Sequence, residues 1–239
     1  MKRTAKILIR VMGIESSCDD TGVAIISSCG RILADEIFHQ HKFHAPFKGI
    51  KPNVASEIHE TVLPLAVNRA LSVAKLQMSD IDVIAATKGP GMVASLRFGY
   101  FGARMLAAAL NKPFVPVHHM EAHALMPRFF CPEIAYPFLS LLVSGGHTMV
   151  VLVMGLGRYR ILGNSLDDCI GEAFDKGAVW LGLPWREQKC EGGSAAVVFG
   201  GAGSALEDRA KLGDELAFSF PSPLSNSKLK CDFSYSAST

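Results

Sequence analysis

Two histidines four residues apart, in His119-Met120-Glu121-Ala122-His123, put two imidazoles on one face of a helix, where both reach a single metal ion. A zinc protease of the His-Glu-x-x-His type has its general-base glutamate directly after the first histidine. Here Glu121 stands two places on and points to another side of the helix, so the spacing suits a metal pair and argues against that protease mechanism. An ordinary helix start with solvated histidines is the competing reading. Two ligands are also fewer than the three that a protein normally supplies.

Two polar turns offer a second kind of chemistry. Leu142-Val143-Ser144-Gly145-Gly146 runs from an apolar strand into a tight turn whose backbone amides suit phosphate or carboxylate oxygens. Glu15-Ser16-Ser17-Cys18-Asp19-Asp20-Thr21 is the other turn, and Asp19 and Asp20 there could hold a cation or orient a nucleophile. Asp175, in Gly171-Glu172-Ala173-Phe174-Asp175-Lys176, is placed either to accept hydrogen bonds from ligand hydroxyl or amine groups or to interact with a helix dipole. A lone Ser-Gly-Gly is usually only a turn; two polar turns at equivalent places in a repeated fold mean more.

The elements that must position these residues follow from periodicity. Ile7–Gly13, Gly22–Ser27 and Arg31–Phe38 read as strands, and residues 39–51 as an exposed loop rich in His and Lys. Val54–Leu76 has helical spacing, Ile81–Thr87 is a short buried strand, and Val93–Leu110 a helix of small residues. Phe114–Val117 is a further strand before the histidine helix. Phe138–Val143 and Met149–Met154 then form a second apolar hairpin around a polar turn, so the first pattern restarts. Alternating strands and helices predict an α/β fold of two related lobes, residues 1–130 and 131–239, the second incomplete. Residues 185–202, a charged and Gly/Ala/Val stretch without period, read as an insertion.

Composition narrows the class. A chain of 239 residues with 49% hydrophobic and 19% charged residues is an ordinary globular protein, and a formal charge of +2 excludes a strongly basic or acidic one. Six cysteines without a Cys-x-x-Cys pair make neither a zinc cage nor a compact disulfide framework, which points to a reducing compartment. No stretch of 18 or more apolar residues occurs, so no membrane span is expected. The basic, acid-free Met1–Arg10 segment suits either a mitochondrial presequence or a short charged overhang.

Taken in order, Met12–Thr21, Lys88-Gly89-Pro90-Gly91, Pro116–His123, Leu142–Thr148 and Gly171–Lys176 resemble the signatures of the tRNA threonylcarbamoyladenosine transferases, also known as the O-sialoglycoprotein endopeptidase or glycoprotease family. The resemblance implies the actin, sugar-kinase and heat-shock ATPase (ribonuclease H-like) fold. It implies a divalent metal of the iron or zinc class on His119 and His123. It further implies threonylcarbamoyl-adenylate held by Leu142, Val143, Ser144, Gly145, Gly146, Asp175 and Gly203, the last located by counting back from Phe220-Pro221. Asp19 and Asp20 are the catalytic candidates. The implied reaction moves the threonylcarbamoyl group to N6 of the adenosine 3′ of the anticodon in tRNAs reading ANN codons.

The His-His-Met-Glu-Ala-His form resembles the bacterial and mitochondrial branch, which implies a mitochondrial or otherwise cytoplasmic location, a homodimer, tRNA as partner and no membrane. Lys42, Lys48 and Lys51 are candidates for the tRNA backbone. Cys231-Asp232-Phe233-Ser234-Tyr235-Ser236 resembles a family segment that continues differently, so a further metal-ligating aspartate and a nucleotide-binding asparagine are expected only beyond residue 239. A catalytically inactive truncated form, acting as a binding or dimerisation partner, is therefore the alternative. A sugar kinase would not need the histidine pair, and a metallopeptidase would need the glutamate elsewhere.

Overall fold

The computed structural model describes residues 8–183, 187–189, 197–199, 202–214, 216–219 and 232–234. The fold is α/β, as the sequence predicts. Two compact units divide the chain, Met1–Ala122 and His123–Thr239.

In the first unit, β1 (Arg10–Glu15), β2 (Thr21–Ser27) and β3 (Ile32–Phe38) form an antiparallel meander. The short α1 (His41–His44) and a 3₁₀ turn (Ala45–Phe47) lead to α2 (Pro52–Ala74). Then come β4 (Val83–Gly89), α3 (Val93–Leu96), a π turn (Arg97–Phe101), α4 (Gly102–Ala109) and β5 (Phe114–His118). The sheet order is β3-β2-β1-β4-β5, with β4 parallel to β1 and β5 parallel to β4. In β2 burial alternates strictly, Thr21, Val23, Ile25 and Ser27 being buried, because one sheet face meets α2. Met12, Ile14, Ile84, Ala66, Ala70, Ala103 and Ala107 complete that core. The small residues of α2 and α4 let both helices approach closely.

α5 (His119–Phe130) follows β5 directly. The second unit holds β6 (Phe138–Val143), β7 (Thr148–Gly155) and β8 (Arg158–Asn164), an antiparallel meander like that of β1 to β3. α6 (Ile170–Trp180), the hairpin β9 (Glu187–Lys189) and β10 (Val197–Phe199), and α7 (Ala202–Ala210) complete the described elements. Asp232 bridges Asn164 at the end of β8.

Two expectations need correction. Residues 39–51 are not simply an exposed loop: Gln40 and His44 are 1% and 0% exposed. They satisfy each other, His44 Nε2 lying 3.3 Å from Gln40 Oε1, while Gln40 Nε2 donates to the Ala55 carbonyl at 3.4 Å. Polar composition hid a buried, internally paired segment. In residues 185–202 the β9–β10 hairpin replaces part of the expected structureless insertion, and the rest lies outside the described residues.

Ile25 is fully buried in this core. Ile25→Ala is expected to destabilise the chain by about 2–5 kcal/mol, read as a lower urea midpoint at unchanged slope.

Candidate active site

β1, β4 and β5 run parallel, so their carboxyl ends meet at one edge of the first sheet, where α/β folds place their ligands. Glu15 closes β1 at that edge. Its Oε1 accepts the Ser17 backbone N–H at 2.5 Å, and its Oε2 accepts the Thr87 hydroxyl at the end of β4. The same Oε2 lies 3.3 Å from Nδ1 of His119, the first residue of α5, and Ser17 Oγ is 3.2 Å from that nitrogen. Burial pushes the Glu15 carboxyl up, but the hydrogen bonds from His119, Ser17 and Thr87 outweigh it and hold it at about 2. With Glu15 ionised, the tautomer of His119 that carries its proton on Nδ1 is the favoured one, and in it Nε2 is the lone-pair nitrogen.

The loop after β4 closes onto this turn. Met92 N–H donates to the Ser17 carbonyl at 2.7 Å. A Cβ on Gly91 would lie 2.5 Å from that carbonyl oxygen and 2.9 Å from Ser17 Cα, so only glycine allows the approach.

Asp19 and Asp20 meet the histidines of the following segment. Asp19 Oδ2 is 3.3 Å from His41 Nε2, and Asp20 Oδ2 is 2.9 Å from His39 Nδ1. Gln40 N–H donates to Asp20 Oδ1 at 3.3 Å. Burial would raise the Asp19 carboxyl, and the His41 imidazole outweighs it and holds it below the usual range. The fully buried His59 braces the turn from α2. Its Nε2–H donates to the Cys18 carbonyl at 2.9 Å, so Nδ1 accepts from the Thr21 hydroxyl at 2.8 Å.

In the second unit, Leu142 and Val143 end β6 and Ser144 begins the turn. Ser144 N–H donates to the His147 carbonyl at 2.7 Å, and His147 N–H to Ser144 Oγ at 3.0 Å. The first turn of α6 sits directly against it. A Cβ on Gly171 would lie 2.7 Å from Gly145 N and 2.9 Å from the Ser144 carbonyl carbon. Thr148 Oγ1 accepts the Ile170 N–H at 3.1 Å and fixes the start of the helix. One turn further along α6, Asp175 Oδ1 accepts the Gly203 N–H of α7 at 2.7 Å. Gly171 and Asp175 are four apart and share a face of α6, so that face meets the turn at one end and the start of α7 at the other. A carboxylate beside a helix start is favourable, and the helix concerned is α7 rather than Asp175's own.

The structure thus brings together Ser144, Gly145 and α6, and separately Asp175 with Gly203. His119 and His123 fall one turn apart on α5, with Glu121 on another side. Lys42, Lys48 and Lys51 are exposed, Lys42 lying 4.8 Å from the ring centroid of the exposed Phe43. Sequence reasoning gave no role to Glu15, Thr87, His39, His41 or His59. An acidic residue closing a strand just before a polar turn was the available signal for Glu15.

Residues 31–239 match the model of the tRNA N6-adenosine threonylcarbamoyltransferase family. A tRNA N6-adenosine threonylcarbamoyltransferase of Rickettsia bellii is 43% identical over 95% of this chain and 62% of its own length. One of Rickettsia typhi is 42% identical over 95% of this chain and 54% of its own length. The chain therefore spans about 62% of the length of the first of these relatives. Among solved structures, YeaZ from Pseudomonas aeruginosa is similar with a TM-score of 0.44 at 19% identity, over 64% of this chain and 66% of that one.

Two outcomes follow from these geometries. Because Glu15 is held at about 2 against an ordinary 4.5, its stabilisation is full above 4.5 and is lost as pH falls toward 2. Glu15→Gln is expected to be less stable than the parent at neutral pH, with the gap closing over that window, as read by denaturant unfolding at stepped pH. Gly171→Ala is expected to cost about 1–3 kcal/mol. Gly177→Ala on the same helix meets only Leu206 Cδ2 at 3.6 Å and is expected to stabilise by about 0.5–1 kcal/mol. Thermal unfolding separates the two.

Proposed function

We propose that this chain, which belongs to the tRNA N6-adenosine threonylcarbamoyltransferase family, transfers a threonylcarbamoyl group from threonylcarbamoyl-adenylate to N6 of the adenosine 3′ of a tRNA anticodon. In that reaction the N6 amine forms a bond to the carbamoyl carbon, the bond from that carbon to the phosphate oxygen breaks, and AMP leaves with its electron pair. A weak amine nucleophile demands close positioning and a stabilised leaving phosphate. The observation that carries the reading is the face of α6 on which the Ser144-Gly145 turn and the Asp175–Gly203 pair are both fixed.

In this reading the backbone amides of Ser144 to Gly146 hold oxygens of the adenylate, and Leu142 and Val143 lead the strand into that turn. Asp175, already fixed by Gly203, orients hydroxyl or amine groups of the same ligand. Asp19 and Asp20, at the head of β2, are the carboxylates assigned to the amine proton.

His119 and His123 are assigned to a divalent ion of the iron or zinc class. The fit rests on the Glu15–His119 pair: a ligating imidazole usually hands its other ring N–H to a carboxylate, and Nδ1 of His119 lies 3.3 Å from Glu15 Oε2, placed for that role. Such an ion, when bound, supplies Lewis-acid polarisation of the adenylate's oxygens. Glu15 then acts as a positioning residue for His119, holding its tautomer and ring plane.

For tRNA, the exposed Lys42, Lys48 and Lys51 with the exposed Phe43 and Phe47 supply charge for phosphates and apolar rings for bases. The His-His-Met-Glu-Ala-His form supports a bacterial-type or mitochondrial setting.

The direct test incubates the chain with anticodon-stem tRNA, threonine, bicarbonate, ATP and the enzyme that makes the adenylate, and quantifies threonylcarbamoyladenosine by mass spectrometry. Product is expected from the parent and not from His119→Ala/His123→Ala or Asp175→Ala. A folded parent chain giving no product would sink the transfer reading and favour the non-catalytic one. Glu15→Gln is expected to lower metal affinity about 10–100-fold, read by equilibrium dialysis. Replacing Lys42, Lys48 and Lys51 with alanine is expected to reduce the salt slope of tRNA binding by roughly 2.

A further inference from the structure

We propose that His44 is a proton-sensitive latch on the segment between β3 and α2. While its imidazole is neutral, residues 41–51 stay fastened to the start of α2, and a second proton on the ring releases them.

Both ring nitrogens of His44 are committed, and their partners fix which one bears the proton. The Lys51 backbone N–H can only donate, and it does so to His44 Nδ1 at 3.2 Å, so Nδ1 is the lone-pair nitrogen. Gln40 Nε2 donates to the Ala55 carbonyl at 3.4 Å, which turns Gln40 Oε1 toward His44. His44 Nε2–H donates to that oxygen at 3.3 Å. Two independent contacts thus select the same neutral tautomer. A proton on Nδ1 would set two N–H groups against each other.

The position does not accommodate charge. His44 is fully buried, so the ring reaches water only if the segment moves. Burial holds its imidazole below the ordinary 6.5, against the pull of Asp19 and Asp20 in the turn before β2. His41 of α1 and His59 of α2 add to the burial effect. Lys51 supplies its backbone only, its ammonium lying 5.9 Å from the Phe47 ring centroid. The segment's other two histidines face carboxylates, His39 with Asp20 at 2.9 Å and His41 with Asp19 at 3.3 Å, where an added proton strengthens the contact. His44 is therefore the one of the three that acid works against.

What the latch holds is the first turn of α2. The Lys51 carbonyl accepts the Ala55 N–H, and the Ala55 carbonyl in turn holds Gln40. The closed segment binds fewer protons than the open one, so closure is at full strength above 6.5 and weakens as pH falls below it. Opening would move Lys42, Lys48 and Lys51, the residues assigned above to tRNA. The inference stands on the segment's own contacts, and its test reads amide exchange alone, so its failure leaves the transfer reading standing.

The 15N-labelled 239-residue chain is followed by NMR from about pH 7.5 to about pH 5.5, with amide exchange corrected for its intrinsic pH dependence. Protection of the Lys51 amide is expected to fall by up to roughly tenfold per pH unit below 6.5, while the Ile25 amide of β2 keeps its protection. His44→Asn, whose Oδ1 accepts as Nδ1 does but does not titrate, is expected to keep Lys51 protection level across the range. Constant Lys51 protection in the parent overturns the proposal, and so does an equal fall in His44→Asn. An Ile25 amide that opens in step with Lys51 also overturns it, because that marks global unfolding. If His44→Asn does not fold, the parent's own imidazole decides. Its Nδ1 resonance is expected to be that of a bare ring nitrogen at the upper pH and to convert in step with Lys51 exchange; a protonated Nδ1 there overturns the proposal.

Discussion

Glu15 stands at the carboxyl end of β1, and its two oxygens are shared among the turn that follows, the end of β4 and the first residue of α5. The Glu15 side chain is 40% exposed, so water shares in its solvation, and each of its protein partners belongs to a different stretch of chain. The carboxylate thus fixes the register of the polar turn against Thr87 and the orientation of the imidazole that opens α5. Withdrawing any one donor would remove one of the hydrogen bonds that hold the carboxyl at about 2 and release the stretch of chain that supplied it. The first unit's candidate chemistry hangs on this one side chain more than on any of the residues assigned to react.

The second unit reaches comparable fixity by a different route. There the constraint is missing atoms: Gly171 lets α6 press onto the backbone of Ser144 and Gly145, closer than any side chain permits. With the helix seated, Asp175 falls where it accepts the Gly203 N–H in the first turn of α7. Steric fit sets the turn and a single charge-assisted hydrogen bond sets the next helix, so errors in the first propagate to the second. Among the described residues, the hydrophobic core cluster lies in the first unit, and Met149, Val151 and Val153 of β7 are buried in the second.

Much of this was legible in the residues. The alternation of β2, the histidine spacing of α5 and the Ser-Gly-Gly turn between β6 and β7 are local patterns, and the structure has each element where the pattern puts it. Val93–Leu110 was likewise legible as helical, although a π turn at Arg97–Phe101 interrupts it. Glu15 was not legible because its partners Thr87 and His119 lie 72 and 104 residues away. His41 was hidden for another reason: its neighbours Gln40 and His44 are polar, and polarity suggested exposure where mutual hydrogen bonding allows burial. β8 was missed because burial along Arg158–Asn164 follows no two-residue alternation.

The order of strands in the first sheet carries a consequence for synthesis. β1 lies between β2, its immediate successor, and β4, with Val11 paired to Val83. Until β4 is made, β1 has only β2 to pair with, and its other side is an unpaired backbone edge. Such edges invite pairing with other nascent chains. Closing a parallel pair across so long a loop is slow as well. Protection arrives only when β4 emerges, and β5 then becomes the edge in its place. Chain yield should accordingly depend on the pace of translation through α2, and pauses there should raise aggregation without changing the stability of the finished protein.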